Sequence, residues 1–271
     1  MESSRISQTG QERVSEISAL IGGLAAGSVE IVDLTQPLTE TTPVIKLPPP
    51  FANTPGLSRE EISHYDDRGP AWAWYTLTIG EHVGTHLDAP IHWVTGKDGK
   101  DIGSIDAQTL IGPACVVDKT PETEADNGYL LTVNDLEEWE AEHGRVPNGA
   151  WVLLRTGWSS RAQDEATFLN AGESGPVTPG PDVEASQWLA SERGISGFGV
   201  ETVGIDAGAA YSFDPPFPVH NFLLGAGRLG LTQLANLDKL PLTGSLLVVS
   251  PLKLMGGTGS PSRVYAFVPR G

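Results

Sequence analysis

Gly84 and Pro90 constrain this chain more than any other residues, because His82, His86, Asp88 and His92 stand between and around them. Both residues break helices, and the alternating apolar run 71–79 leads into the stretch. Residues 81–93 therefore read as the end of a strand, a tight bend and a short extended loop. Side chains two apart on an extended chain face the same way, so His86, Asp88 and His92 share a face. A straight strand, at about 3.3 Å per residue, would hold the Cα of His82 about 13 Å from that of His86. Gly84 gives the chain the freedom to bend and close that gap.

Two neutral imidazoles and a carboxylate suit Zn²⁺, Mn²⁺ or Fe²⁺ and leave positions open for water and substrate. His92 is then spare, and an imidazole that titrates near neutrality beside an activated water is a candidate general base. Histidines in polar loops usually just bond the backbone. That account suits one histidine, and four potential ligands at this spacing favour a metal site.

The same stretch resembles a family. His-x-Gly-Thr-His-x-Asp-x-Pro-x-His, complete from His82 to His92, is similar to the motif of cyclase-like metal-dependent hydrolases, which include kynurenine formamidases, isatin hydrolases and a trans-dienelactone hydrolase. Resemblance to the isatin hydrolases extends over Leu47-Pro48-Pro49-Pro50-Phe51, Trp93-Val94-Thr95-Gly96-Lys97-Asp98, residues 215–221 and residues 237–241. It implies that His82, His86 and Asp88 hold the metal and that His92 acts in catalysis. It also implies the cyclase fold, a mixed sheet or partial barrel with flanking helices, in a homodimer or larger assembly. Kynurenine formamidases often hold a second zinc, for which the later histidine matches His220 and the glutamate position falls at Gln233. A neutral glutamine poorly offsets a second dication, so one divalent ion per chain, Mn²⁺ or Zn²⁺, is expected. His220 and Gln233 would then be polar contacts for the substrate or for metal-bound water. Isatin suits such a site, since its strained cyclic amide opens to isatinate, whose carboxylate and ketone oxygens chelate an ion. Phe51, Tyr65, Trp72, Trp74 and Phe217 are candidates to wall a flat aromatic substrate, although paired tryptophans such as Trp72 and Trp74 more often pack in a core.

The rest of the chain bounds these expectations. Its 271 residues suffice for one sizeable core, and strands interspersed with helices, without a repeat or evident linker, suggest a single α/β domain over residues 1–271. A net charge of −17 argues against nucleic acid and anionic membrane as partners and says little about the small-molecule substrate that the resemblance implies. No apolar run approaches the ~20 residues of a membrane helix, no leader is visible, and the cytoplasm is the expected location. Cys115, the only cysteine, reads as a small core residue on a strand over 114–118.

In chain order, residues 1–10 read as a flexible polar tail and residues 11–26 as an amphipathic helix. Strands are expected over 29–34, 71–79, 150–155, 195–205, 245–252 and 262–268. Helices are expected over 133–143, with Thr132 as N-cap, and over 182–193, closed by Gly194. His64 and His143 read as structural. Two other classes fit parts of the pattern. A non-haem Fe(II) oxygenase also uses two histidines and a carboxylate, but its second histidine usually lies far downstream. A metal-binding protein without catalysis would leave His92 without a use.

Overall fold

The structure, a computed structural model, describes residues 3–173 and 175–270, with residues 3–14 described by backbone only. Helix α1 (Ser3–Ala26) starts ahead of the Gln11 expected, so most of the stretch read as a flexible tail is helical, while Met1 and Glu2 lie outside the described residues. Strand β1 (Val29–Asp33) follows, then a Pro-rich loop between 35 and 55.

Strands β2 (Ser58–Asp66) and β3 (Gly69–Thr78) form a separate two-stranded hairpin that leads directly into the histidine stretch. Asp66 pairs with Gly69, so Asp67-Arg68 is the turn and Gly69-Pro70 begins β3. Arg68 Nε secures the corner by donating to Asp66 Oδ2 at 2.9 Å. His64 lies on β2 and bonds the Tyr75 hydroxyl at 2.9 Å. Trp72 and Trp74 share a face, as the two-residue period requires, but they are 44% and 53% exposed and fill no core of this chain.

The main sheet is a barrel. Parallel strands β5 (Ile111–Asp118), β7 (Trp151–Arg155), β11 (Gly197–Val200) and β12 (Leu229–Thr232) make one side. Antiparallel β13 (Ser245–Pro251), β14 (Gly259–Pro269) and β4 (His86–Asp88) complete it. Seven strands thus close through the β14–β4 pairing, and β1 lies alongside the far end of β14. Alternation divides the core: Trp151 and Leu153 fill the interior with Leu87, Leu231, Leu247 and Val264, whereas Val152 and Leu154 face outward with Cys115 and Val117.

Helices cover that outer layer. After the short α2 (Thr120–Ala125) and β6 (Leu130–Leu131), α3 (Val133–His143) begins where its cap predicted. Thr132 and Asp135 form a reciprocal capping box. Short α4 (Glu165–Leu169) precedes the small strands β8 (Ala171–Gly172), β9 (Gly175–Pro176) and β10 (Gly180–Pro181), the last paired with β6. Helix α5 (Val183–Ser191), capped by Asp182, buries Ala185, Trp188 and Leu189 against Phe198 and Leu223. Strand β11 stops at Val200, short of the 195–205 expected, because Glu201 turns aside to accept hydrogen bonds from the Thr156 backbone at 2.6 Å and the Ser159 hydroxyl at 2.8 Å.

Candidate metal centre

The register of β4 creates the site. Asp88 stands opposite Gly230 on β12 and Gly259 on β14, and His86 stands opposite Thr232. Leu87 is fully buried in the barrel, so its neighbours His86 and Asp88 turn to the outer face, as the strand period predicts. A Cβ at Gly230 would come within 3.1 Å of Asp88 Oδ2 and 2.9 Å of Ile205 Cδ1, which is why the strand is bare there. Gly84, at φ +64°, makes the expected bend and brings the rings of His82 and His86 to 5.2 Å, edge to face.

Proton bookkeeping shows what the cluster can hold. The Gly84 carbonyl only accepts, so His86 Nδ1, 2.8 Å away, carries the proton and Nε2 keeps a lone pair. Glu81 Oε2 accepts the Thr258 hydroxyl at 2.6 Å, so that hydroxyl must accept from His82 Nε2 at 2.9 Å. His82 Nδ1 then turns its lone pair to Asp88 Oδ1 at 2.8 Å, and His86 Nε2 lies 3.4 Å from the same oxygen. Burial alone would raise the Asp88 pKa, yet its carboxyl lies well below the usual carboxylate range, so Asp88 is ionised. Three electron-pair donors, all within 4.8 Å of one another, therefore converge without a proton committed between them, and this donor set fits a divalent cation.

Beyond Asp88 the chain does not stay extended. Pro90–His92 is a 3₁₀ turn with proline at its first position, where the fixed φ of proline suits a helical start. The turn lays the ring of His92 flat on that of His82, with centroids 4.0 Å apart and planes 29° apart. Among the described residues neither ring nitrogen of His92 has a hydrogen-bond partner. Burial pushes the His92 pKa down to about 4 against the opposing pull of Asp88, so the ring is neutral at pH 7.

His220 also arrives at this cluster, at the start of a π-helical turn (His220–Leu224) that the sequence did not announce. Its ring lies 5.6 Å from His92 and 4.7 Å from Trp93. Nδ1 of His220 bonds the carboxylate of Asp206, which also accepts the backbone N–H of Val219 at 2.7 Å. Burial pulls the His220 pKa down, but the hydrogen bond to Asp206 and its charge outweigh this and raise it. Phe217, at φ +53°, sets its edge against Trp93 at 5.7 Å.

The remaining candidates lie apart. Phe51, Tyr65, Trp72 and Trp74 are exposed, with Phe51 at 64%, and none of them packs against His82, His86, His92 or His220; Tyr65 packs instead on His64. Gln233 is buried just past β12; its side-chain amide donates to the Pro43 carbonyl at 3.3 Å and its backbone carbonyl accepts the Thr85 hydroxyl at 2.6 Å. Its Oε1 has no partner among the described residues. Asp206, Trp93, Glu81, Thr232 and Thr258 were not foreseen as site residues. Trp93 adjoins His92 in sequence, whereas Asp206 and Thr258 reach the cluster only through the fold.

Comparison with known proteins agrees with this geometry. Residues 32–207 match the Cyclase family model, whose description is "Putative cyclase". The isatin hydrolase of Roseibium aggregatum is 49% identical over 259 residues, spanning 94% of this chain and 98% of that protein. A crystal structure of an isatin hydrolase bound to the product analogue thioisatinate superposes with a TM-score of 0.92 at 49% identity, covering 94% of this chain and 98% of the other. The kynurenine formamidase of Bacillus cereus is more distant, 26% identical over 234 residues that span 86% of this chain and 95% of that one. With its barrel, its converging ligand set and these relatives, the chain belongs to the cyclase family and is similar over nearly its whole length to the isatin hydrolases within it.

Proposed function

We propose that this protein is a metal-dependent hydrolase that opens the cyclic amide of isatin to give isatinate. The observation that carries this reading is the neutral ring of His92, stacked on His82 beside three converging donors. Its support for isatin in particular is the 49% identity to an isatin hydrolase over most of the chain. His82, His86 and Asp88 would hold one divalent ion per chain, Mn²⁺ or Zn²⁺. When bound, such an ion polarises a carbonyl and acidifies water toward a pKa of about 7. His92 accepts the proton of the attacking water as its oxygen adds to the amide carbonyl carbon. The C–N bond then breaks, and His92 returns that proton to the leaving ring nitrogen, so the ring opens to one product bearing an aromatic amine and a carboxyl group, whose proton passes to solvent. Trp93 and Phe217 offer aromatic surface beside His92, and the His220–Asp206 pair offers a hydrogen-bond donor to a substrate oxygen.

The substrate assignment is tested by offering the purified, metal-loaded protein isatin, N-formylkynurenine and a dienelactone separately. We expect isatin to give the highest kcat/KM. Preference for N-formylkynurenine would make the protein a formamidase instead.

The exposed hairpin bears on assembly. Two isolated strands are marginal in water, yet β2–β3 leaves Ile62, Trp72, Trp74 and Leu77 between 44% and 59% exposed. A second copy of the chain covering this hairpin would bury them, and Trp72, Trp74 and Phe51 would serve the substrate only through such an assembly. Sedimentation should therefore show at least a dimer, and changing both Trp72 and Trp74 to alanine should shift it toward monomer. An unchanged assembly in that variant, or a monomeric unsubstituted protein, would contradict this part of the reading.

A further inference from the structure

His82 is the ligand that its own strand supports least. It precedes the Gly84 bend and lies outside β4, so no ladder hydrogen bond of that strand fixes its ring. The segment entering β14 does so instead. Glu81, the residue before it, accepts both the backbone N–H and the hydroxyl of Thr258, at 2.9 and 2.6 Å, and that hydroxyl accepts His82 Nε2–H. Thr258 is itself anchored: its carbonyl accepts the Ala89 N–H at 2.9 Å, and two residues earlier Gly256 N–H donates to Asp101 Oδ2 at 2.6 Å. At Gly259 a Cβ would lie 2.4 Å from His82 Cε1, so the ring rests on bare backbone on one side while His92 covers it on the other.

We infer that Thr258 and Glu81 are positioning residues for the metal, together fixing the proton of His82 on Nε2 so that Nδ1 faces the ion. The inference rests on the metal-site reading above. A carboxylate that orients a hydroxyl, which in turn holds a ligand imidazole, fixes the tautomer and raises the basicity of the ligating nitrogen. Loss of such a partner costs about 10- to 100-fold in metal affinity.

The test measures binding of Zn²⁺ and of Mn²⁺ alone, by competition with a chelating dye, in the full-length protein. Thr258→Val keeps the branched shape and removes the hydroxyl, and it should bind about 10- to 100-fold more weakly. Thr258→Ser keeps the hydroxyl and should bind like the unsubstituted protein. Glu81→Ala should weaken binding as Thr258→Val does, and the double variant should be little weaker than either single one, because the two residues act through one hydrogen bond to His82. Circular dichroism of the metal-free variants checks folding; should Thr258→Val misfold, the Ser and Glu81 variants still decide. Unchanged affinity in Thr258→Val or Glu81→Ala, failure of Thr258→Ser to bind normally, or fully additive losses would overturn the inference. His86→Ala serves as the control: if it alone loses the ion, the metal site stands without this relay, whereas metal affinity that survives His86→Ala sinks the metal-site reading itself.

Discussion

Asp88→Ala is expected to leave a folded protein that neither retains a divalent ion nor turns over substrate. Asp88 is 2% exposed and supplies the only negative charge of the ligand set. Two neutral imidazoles without it give a weak site, so the loss of activity should exceed that of any other single change in the cluster. The metal-free fold should persist, because burial opposes the charge of Asp88 and alanine removes that charge together with the atoms that bear it. A ligand bound only by the native state raises thermal stability by mass action, so added Mn²⁺ or Zn²⁺ should lift the unfolding midpoint of the unsubstituted protein and leave that of Asp88→Ala unmoved. Metal analysis after dialysis and a pair of melting curves check both halves. A metal-laden, active Asp88→Ala protein would exclude Asp88 as a ligand.

His92→Ala should behave in the opposite way toward metal. His92 stacks on His82 instead of entering the converging set, and burial keeps its ring neutral at pH 7. The variant should keep its ion and lose roughly 10²- to 10⁴-fold in turnover, the usual range for one general acid–base group. Metal content and single-turnover rates measured together in one buffer separate the two roles. Loss of the ion in His92→Ala, or near-normal turnover with the ion bound, would end the assignment of His92 as base.

The grouping of these side chains was legible in the sequence because it is local. His82, the Gly84 bend, His86, Asp88 and His92 fall within eleven residues, and the two-residue period alone places His86 and Asp88 on one face. Helix α3 was equally plain, since a capping threonine and its reciprocal partner lie three residues apart. What was missed is non-local. Thr258 meets His82 across 176 positions, and Asp206 meets His220 only because the chain turns out of β11 and returns in a π-helical turn. Strand β12, four residues with a glycine among them, carries too little pattern to announce itself and exists because β11 and β4 pair with it on either side. The two-residue period sets Trp72 and Trp74 of β3 on one face, but that period does not reveal whether the face meets a core, a partner or water.

The most direct test of the account strips the purified protein of metal with a chelator, removes the chelator, and follows isatin ring opening as Mn²⁺ or Zn²⁺ is titrated back. The stripped protein should be inactive, and activity should rise linearly and break at one equivalent of ion per chain. Full isatin hydrolysis by demonstrably metal-free protein, or a break at two equivalents, would contradict it.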